Sequence, residues 1–225
     1  MKIKWYGHAS FLITSADGLK IITDPYTPET SGYQPITDVA DIVVMSSDND
    51  SFHCRADLLP GNPVVINALT VAQNGGERTE KGVTFRAVAA MEALNHYEHD
   101  PDQNGMYRFV VDGVSVGHMG DIGNPLTEAQ IEFFCDVDVL LALTGGHPTI
   151  ELDDLKTFID AANPRYVIPM HFRTLRYKIR ETLWVQSFLD YFDEADIDIA
   201  CDYEISLTPD KIPQASRALV LTHAR

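Results

Sequence analysis

Cysteine is scarce: Cys54, Cys135 and Cys201 are odd in number, far apart and form no C-x-x-C pair. That pattern argues against a disulfide framework and leads us to expect thiols in a reducing, cytoplasmic compartment. Long hydrophobic runs are also missing. No stretch approaches the roughly 20 apolar residues of a membrane span, and Met1–His8 lacks the continuous apolar segment of a secretion signal. Positive charge is short, with 17 Lys and Arg against 33 Asp and Glu and a net charge of −16. Such a balance repels nucleic-acid phosphates and anionic lipid, so neither is an expected partner. Repeats, linkers and low-complexity tracts are absent, and residues 1–225 are expected to form one domain with a sizeable core. Nothing in the sequence decides whether copies of the chain associate into a homo-oligomer.

What is present is a chain of short apolar strands that gives way to alternating helices and strands. Strands are expected at 3–6, 11–14, 19–23, 42–45, 64–66, 83–89, 107–111 and 114–117, with Asp17-Gly18 and Asp112-Gly113 as hairpin turns. A helix should begin at Thr127, with Gln130 in the capping-box position. A buried strand at 137–143 precedes a helix over 151–162, where Leu152, Leu155, Phe158 and Ile159 recur at helical spacing before Pro164. A strand at 166–170, a helix over 183–192 with Trp184, Phe188 and Tyr191 facing the core, and strands at 205–207 and 218–221 complete the pattern. Hairpins followed by alternating elements indicate a layered α/β domain.

Six short stretches carry a resemblance in a fixed order. They are Trp5–Phe11 (WYGHASF), Thr23-Asp24-Pro25, the loop 46–53 (SSDNDSFH), Gly117–Asp121 (GHMGD), Gly145–Thr149 (GGHPT) and Ile168–Phe172 (IPMHF). On these the chain resembles the metallo-β-lactamase superfamily, in particular small bacterial metal-dependent hydrolases related to ascorbate-6-phosphate lactonase. The resemblance implies a four-layer αββα sandwich with a metal site at one edge of its facing sheets.

At the loop 46–53 the family holds His-x-His-x-Asp-His, and this chain departs from it. In one register Ser47, Asn49, Ser51 and Phe52 take the four ligand places, leaving almost nothing to hold a metal. One residue further on, Asp48 and Asp50 replace the two histidines, Phe52 replaces the aspartate, and His53 keeps the last place. The second register is preferred, because Ser47 then precedes the first ligand. The family's next histidine falls at Glu92, its bridging aspartate at Asp121 and its final histidine at His171. The implied metal set is therefore Asp48, Asp50, His53, Glu92, Asp121 and His171, with Asp121 also catalytic. Carboxylates suit magnesium or manganese and imidazoles suit zinc, so manganese or magnesium is the expected cofactor, or none if the site has decayed. Asp48, Asn49 and Asp50 could equally be turn residues.

Asp24 and His8 are expected beside the site as supporting groups, His8 as a hydrogen-bonded histidine. His118 is expected to be structural, and His147 and Thr149 to contact substrate. Two further histidines, His96 and His99, stand in a stretch that could approach it, though a surface loop is the preferred reading. Arg173, Arg176, Lys178 and Arg180 put four of the 17 bases directly after His171, where Arg173 and Arg176 could bind a substrate phosphate or carboxylate. The implied activity is hydrolysis of a small anionic ester, lactone or phosphodiester by attack of a metal-bound water. The alternative is a non-catalytic descendant that binds a small ligand or a protein partner in the old cleft, which Phe52 favours. Hydrolysis of β-lactams is disfavoured, because neither an export signal nor the usual zinc motif is present.

Overall fold

A computed structural model of the chain describes residues 1–49, 51–92 and 104–224. Its first sheet holds β1 (Lys2–Gly7), β2 (Ser10–Thr14), β3 (Lys20–Thr23), β4 (Ile42–Met45), β5 (Val64–Asn67) and, from far along the chain, β13 (Glu204–Ser206). Its order is β13-β1-β2-β3-β4-β5. The second sheet holds β6 (Glu77–Glu80), β7 (Val83–Ala90), β8 (Asn104–Val111), β9 (Val114–His118), β10 (Val139–Leu143), β11 (Tyr166–Met170), β12 (Ile197–Ile199) and β14 (Arg217–Val220). Its order is β12-β14-β11-β10-β9-β8-β7-β6. The hairpins expected at Asp17-Gly18 and Asp112-Gly113 connect β2 to β3 and β8 to β9. Asp112 and Gly113 both take positive φ, 53° and 76°, as a tight two-residue hairpin turn requires.

Period-2 alternation decides how the layers stack. In the first sheet Ile3, Phe11, Ile13, Ile21, Ile42 and Val44 enter the main core between the sheets. Their neighbours Leu12, Ile22, Val43 and Met45 enter a second core with Tyr26, Tyr33 and Ile36. Both faces of this sheet are thus buried, which is why β4 reads as an unbroken apolar run. The outer cover is a largely irregular layer containing the one-turn helix α1 (Pro28–Ser31). On the second sheet, Gly117 in β9 faces Phe134, while the next residue, His118, faces Phe11 of β2. Phe134 ends α3 (Glu128–Phe133) and stacks edge-on against Phe158 of α4 (Leu152–Ala162), so these helices form the other outer layer. The αββα sandwich is the architecture expected. The capping box at Thr127 and Gln130 is present as well.

Four elements went unexpected, the one-turn α1 among them, and the helix near residue 188 is shorter than anticipated. β6 reads Glu-Arg-Thr-Glu, an edge strand with no apolar residue to mark it, and β12 is three residues long. α2 (Ala68–Gln73) follows β5 directly and packs on β7 and β8. The helix expected over 183–192 narrows to α5 (Val185–Leu189). Of its three aromatic residues only Phe188 is buried; Trp184 is 41% exposed and lies under the Arg173 guanidinium, 5.1 Å from it. Among the described residues no helix is long and apolar enough to cross a membrane.

The join between α2 and β8 supplies a stability prediction. A Cβ on Gly105 would sit 2.2 Å from the Leu69 backbone nitrogen and 2.4 Å from the Ala68 carbonyl carbon. Backbone cannot rotate away as a side chain can. Gly105→Ala should therefore cost about 1–3 kcal/mol of overpacking, read as a lower urea midpoint with unchanged slope.

Candidate metal centre

Strands β1, β3, β4, β7, β9 and β11 all run towards one edge of the sandwich, and the residue types singled out above follow their C-terminal ends. His8 lies in the turn from β1 to β2, Asp24 follows β3, the loop 46–53 follows β4, Glu92 follows β7, Asp121 follows β9 and His171 follows β11. Two backbone bonds draw the sheet edges together there, His171 N–H to the His8 carbonyl at 3.1 Å and Gly105 N–H to the Ser46 carbonyl at 2.7 Å. His8, Asp24 and His171 carry φ of 52°, 33° and 59°, a left-handed backbone that non-glycine residues adopt at a cost. Strain of this kind is tolerated where surrounding structure imposes it for function.

Asp24 is the keystone of the buried edge. Its fully buried carboxylate accepts from the Ser46 N–H at 2.8 Å and the Ser46 hydroxyl at 2.7 Å, and lies 2.9 Å from His53 Nδ1. A carboxylate there keeps the proton on Nδ1 and leaves the His53 Nε2 lone pair aimed the other way. Nε2 is 3.4 Å from one oxygen of Asp121, whose other oxygen is 3.5 Å from His171 Nε2. Asp121 is itself fixed by its N–H to the Asn104 side-chain oxygen at 2.9 Å. The preceding Gly120, at φ 65°, has no room for a Cβ, which would lie 2.4 Å from that same amide. Burial works to raise the Asp121 carboxyl, but the imidazoles of His53 and His171 outweigh it and hold it below the ordinary carboxylate range.

His8 corrects the expectation of a hydrogen-bonded support. It is fully buried, yet neither Nδ1 nor Nε2 has a hydrogen-bond partner among the described residues. The reason is geometric: Gly7 at φ 130° and His8 at φ 52° turn the ring inward, towards the rings of His171 and His53 at centroid distances of 4.1 and 4.7 Å. Burial, with the neighbouring imidazoles of His171, His53 and His118, holds His8 well below the usual histidine value, so it is neutral. His118 shows what a satisfied buried histidine looks like. Its Nε2 lies 2.9 Å from the Ala9 carbonyl and its Nδ1 accepts from the Gly120 N–H at 2.9 Å.

These side chains open into a cavity of about 270 Å³. His8, His53, Glu92, Asp121 and His171 form its polar wall, and Phe52, Pro148, Thr149 and Ile179 the remainder. Glu92 accepts from the Asn49 side-chain amide at 2.8 Å, tying the loop after β4 to the end of β7. A larger cleft of about 460 Å³ lies elsewhere, but its Lys4, Tyr6 and Asp38 satisfy one another and leave no convergent donor set.

Other candidates fall outside. Asp48 is exposed and does not line the cavity, because the chain turns outward after Ser47. Asp50 and the loop carrying His96 and His99 lie outside the described residues. His147 is exposed, while the next two residues reach the wall. None of Arg173, Arg176, Lys178 and Arg180 lines the cavity: Arg173 stacks on Trp184, Lys178 donates to the Glu29 carbonyl at 2.6 Å, and the segment contributes Ile179 instead. Pro148 and Ile179 were not foreseen as wall residues, and no spacing in the sequence signals them.

The donor set fits a divalent cation. Three neutral-capable imidazoles converge with a carboxylate, His8 is buried without a partner, and Oδ1 of Asp121 is buried without a hydrogen bond among the described residues. Leaving such groups unsatisfied costs about 1–3 kcal/mol each, which a metal would relieve.

Comparison with known proteins agrees. A model of the beta-lactamase superfamily domain matches residues 2–171. A Thermotoga maritima crystal structure, described as a candidate zinc-dependent hydrolase of the metallo-β-lactamase superfamily, is 30% identical with a TM-score of 0.76, covering 99% of each chain. A UPF0173 metal-dependent hydrolase from Thermococcus kodakarensis is 26% identical over 193 residues, covering 77% of this chain and 85% of that one. Another from Carboxydothermus hydrogenoformans is 27% identical over 209 residues, with the same two coverages. Sandwich, ordered motifs and convergent site together place this chain in the metallo-β-lactamase superfamily.

Proposed function

We propose that this chain is a metal-dependent hydrolase of a small anionic ester, lactone or phosphodiester, with the cavity at the sheet edge as its catalytic centre. The observation that carries the reading is the placement of the Asp121 carboxylate between His53 Nε2 and His171 Nε2, at 3.4 and 3.5 Å. A divalent cation held by these residues would supply Lewis acidity, polarising the substrate carbonyl or phosphoryl group and making water reactive near neutral pH. Asp24 keeps His53 in the tautomer that presents Nε2. The Asp121 carboxylate oxygen not engaged by the cation accepts the proton released by the attacking water, and Glu92 offers a second acceptor at the cavity wall. Phe52, Pro148 and Ile179 exclude bulk water and pack on the substrate's carbon skeleton. Lys178 and Arg180 flank Ile179 in the chain, and Arg173 and Arg176 precede it in the same segment, so an anionic group extending beyond the cavity would meet this basic run.

Support also comes from the relatives, whose names include metal-dependent hydrolase. The test is turnover of a p-nitrophenyl phosphodiester, a carboxylic ester and a phosphorylated lactone, each with and without added zinc or manganese. Saturable, metal-dependent hydrolysis of one class, absent in Asp121→Asn, is expected. No turnover of any class under any metal would favour the non-catalytic pocket that Phe52 suggests. The flanking bases make a separate expectation: Arg173→Ala should raise KM for the phosphorylated substrate by about tenfold, the scale of one charge-assisted contact, and leave a neutral analogue unchanged.

A further inference from the structure

We infer that His8 is itself a metal ligand, completing with His53, His171 and Asp121 a single imidazole-rich site for zinc or a similar late first-row divalent ion. The inference rests on the metal-centre reading above and adds a ligand to it from outside the loop 46–53.

Its basis is geometric. One ring nitrogen from each of His8, His53 and His171 lies within 4.8 Å of the other two. Some point is then no more than about 2.8 Å from all three, against about 2.0–2.1 Å in a zinc–imidazole bond, so small ring movements suffice. The contrast with His118 is equally direct. Both histidines are fully buried, but His118 satisfies both nitrogens while His8 satisfies neither among the described residues. Nor is His8 loosely placed: its carbonyl accepts from Trp5 Nε1 and from the His171 N–H, both at 3.1 Å, and its ring packs on Phe52 and Tyr177. A rigidly held ring with no partner for either nitrogen is preorganised for something outside the protein.

The same geometry reassigns the metal. An oxygen-seeking cation was expected because Asp48, Asp50 and Glu92 would face the site; Glu92 lines the cavity, but Asp48 is exposed and off its wall, and Asp50 lies outside the described residues. Three imidazoles and one carboxylate suit zinc, cobalt or nickel better than magnesium or manganese.

The experiment compares full-length wild type with His8→Asn, since asparagine tolerates the left-handed backbone at this position. Chelator-stripped proteins are titrated with zinc by calorimetry, with melting temperature followed in parallel. Wild type should bind one equivalent, with zinc favoured over manganese, and His8→Asn should lose at least about 100-fold in affinity, more than the loss of an outer partner causes. Its metal-free melting temperature should stay at or above the wild-type value, which a merely structural histidine would not allow. A loss under tenfold in His8→Asn overturns the role of His8 while leaving the metal centre standing; no zinc binding by wild type overturns the metal centre itself. Should His8→Asn fail to fold, nitrogen-15 spectra of wild type decide. Imidazole signals from three histidines moving on zinc addition support the inference, and signals from two overturn it.

Discussion

Asp121→Asn should reduce hydrolysis by about 10²–10⁴-fold, the range spanned by loss of a positioned acid–base group. The carboxamide keeps the size of the side chain but loses its charge. Its nitrogen would confront His53 or His171 where an anion stands at 3.4 and 3.5 Å. Because Asp121 is held through its backbone N–H to Asn104, the substitution leaves that anchor intact. The melting temperature of the metal-free protein should therefore shift by only a few degrees, whereas stabilisation by zinc should shrink. Steady-state kinetics with melting curves, both with and without chelator, separate the two effects. Full activity in Asp121→Asn would remove this residue from the chemistry.

A larger effect on stability is expected one layer deeper. Asp24→Ala leaves the Ser46 N–H, the Ser46 hydroxyl and the His53 Nδ1–H without their acceptor in a site with no access to water. Breaking a buried charged network by removing one partner costs about 3–5 kcal/mol. For a chain of this length that lowers the melting temperature by roughly 6–20 °C. Measured in chelator, the loss belongs to the fold alone. With zinc present a further 10–100-fold drop in metal affinity should appear, because His53 loses the group that fixes its tautomer. Asp24→Asn should fall between the two: its amide oxygen still accepts from Ser46, but it no longer anchors the His53 proton as a carboxylate does. A melting temperature for Asp24→Ala within 2–3 °C of wild type, a shift of roughly 1 kcal/mol, would show the network to be dispensable.

The fold was legible wherever local chemistry and burial agreed. The runs 42–45 and 166–170 are strands with the bounds expected, because apolar residues bounded by turn signals leave little choice. Thr127 and Gln130 announced a helix start through hydrogen bonds that are themselves local. β6 stayed hidden because its pairing with β7, not its composition, makes it a strand. Trp184 misled because helical spacing reports which residues share a face, not whether anything covers that face.

The site divides along the same line. His53, Asp121 and His171 could be found because each follows an apolar strand in a recognisable order, and the structure brings the three to one cavity. Glu92 also reaches the wall, held by Asn49. What spacing could not convey is the direction of a side chain after a turn. Asp48 points away once the chain leaves Ser47, and His8 points in because two consecutive residues take positive φ. The charge of a motif was therefore a poor guide to the charge of the site. Of the two replacement acids among the described residues, Glu92 lines a centre built mainly from imidazole and Asp48 lies outside it.

The central claim is that this cavity holds a metal. A crystal of chelator-free protein grown with zinc, measured on both sides of the zinc absorption edge, locates the ion without reference to activity. The account predicts one strong anomalous peak bounded by His8, His53, His171 and Asp121, at about 2.0–2.2 Å from the ligating atoms. An empty cavity at saturating zinc, or a peak confined to surface residues, would contradict it.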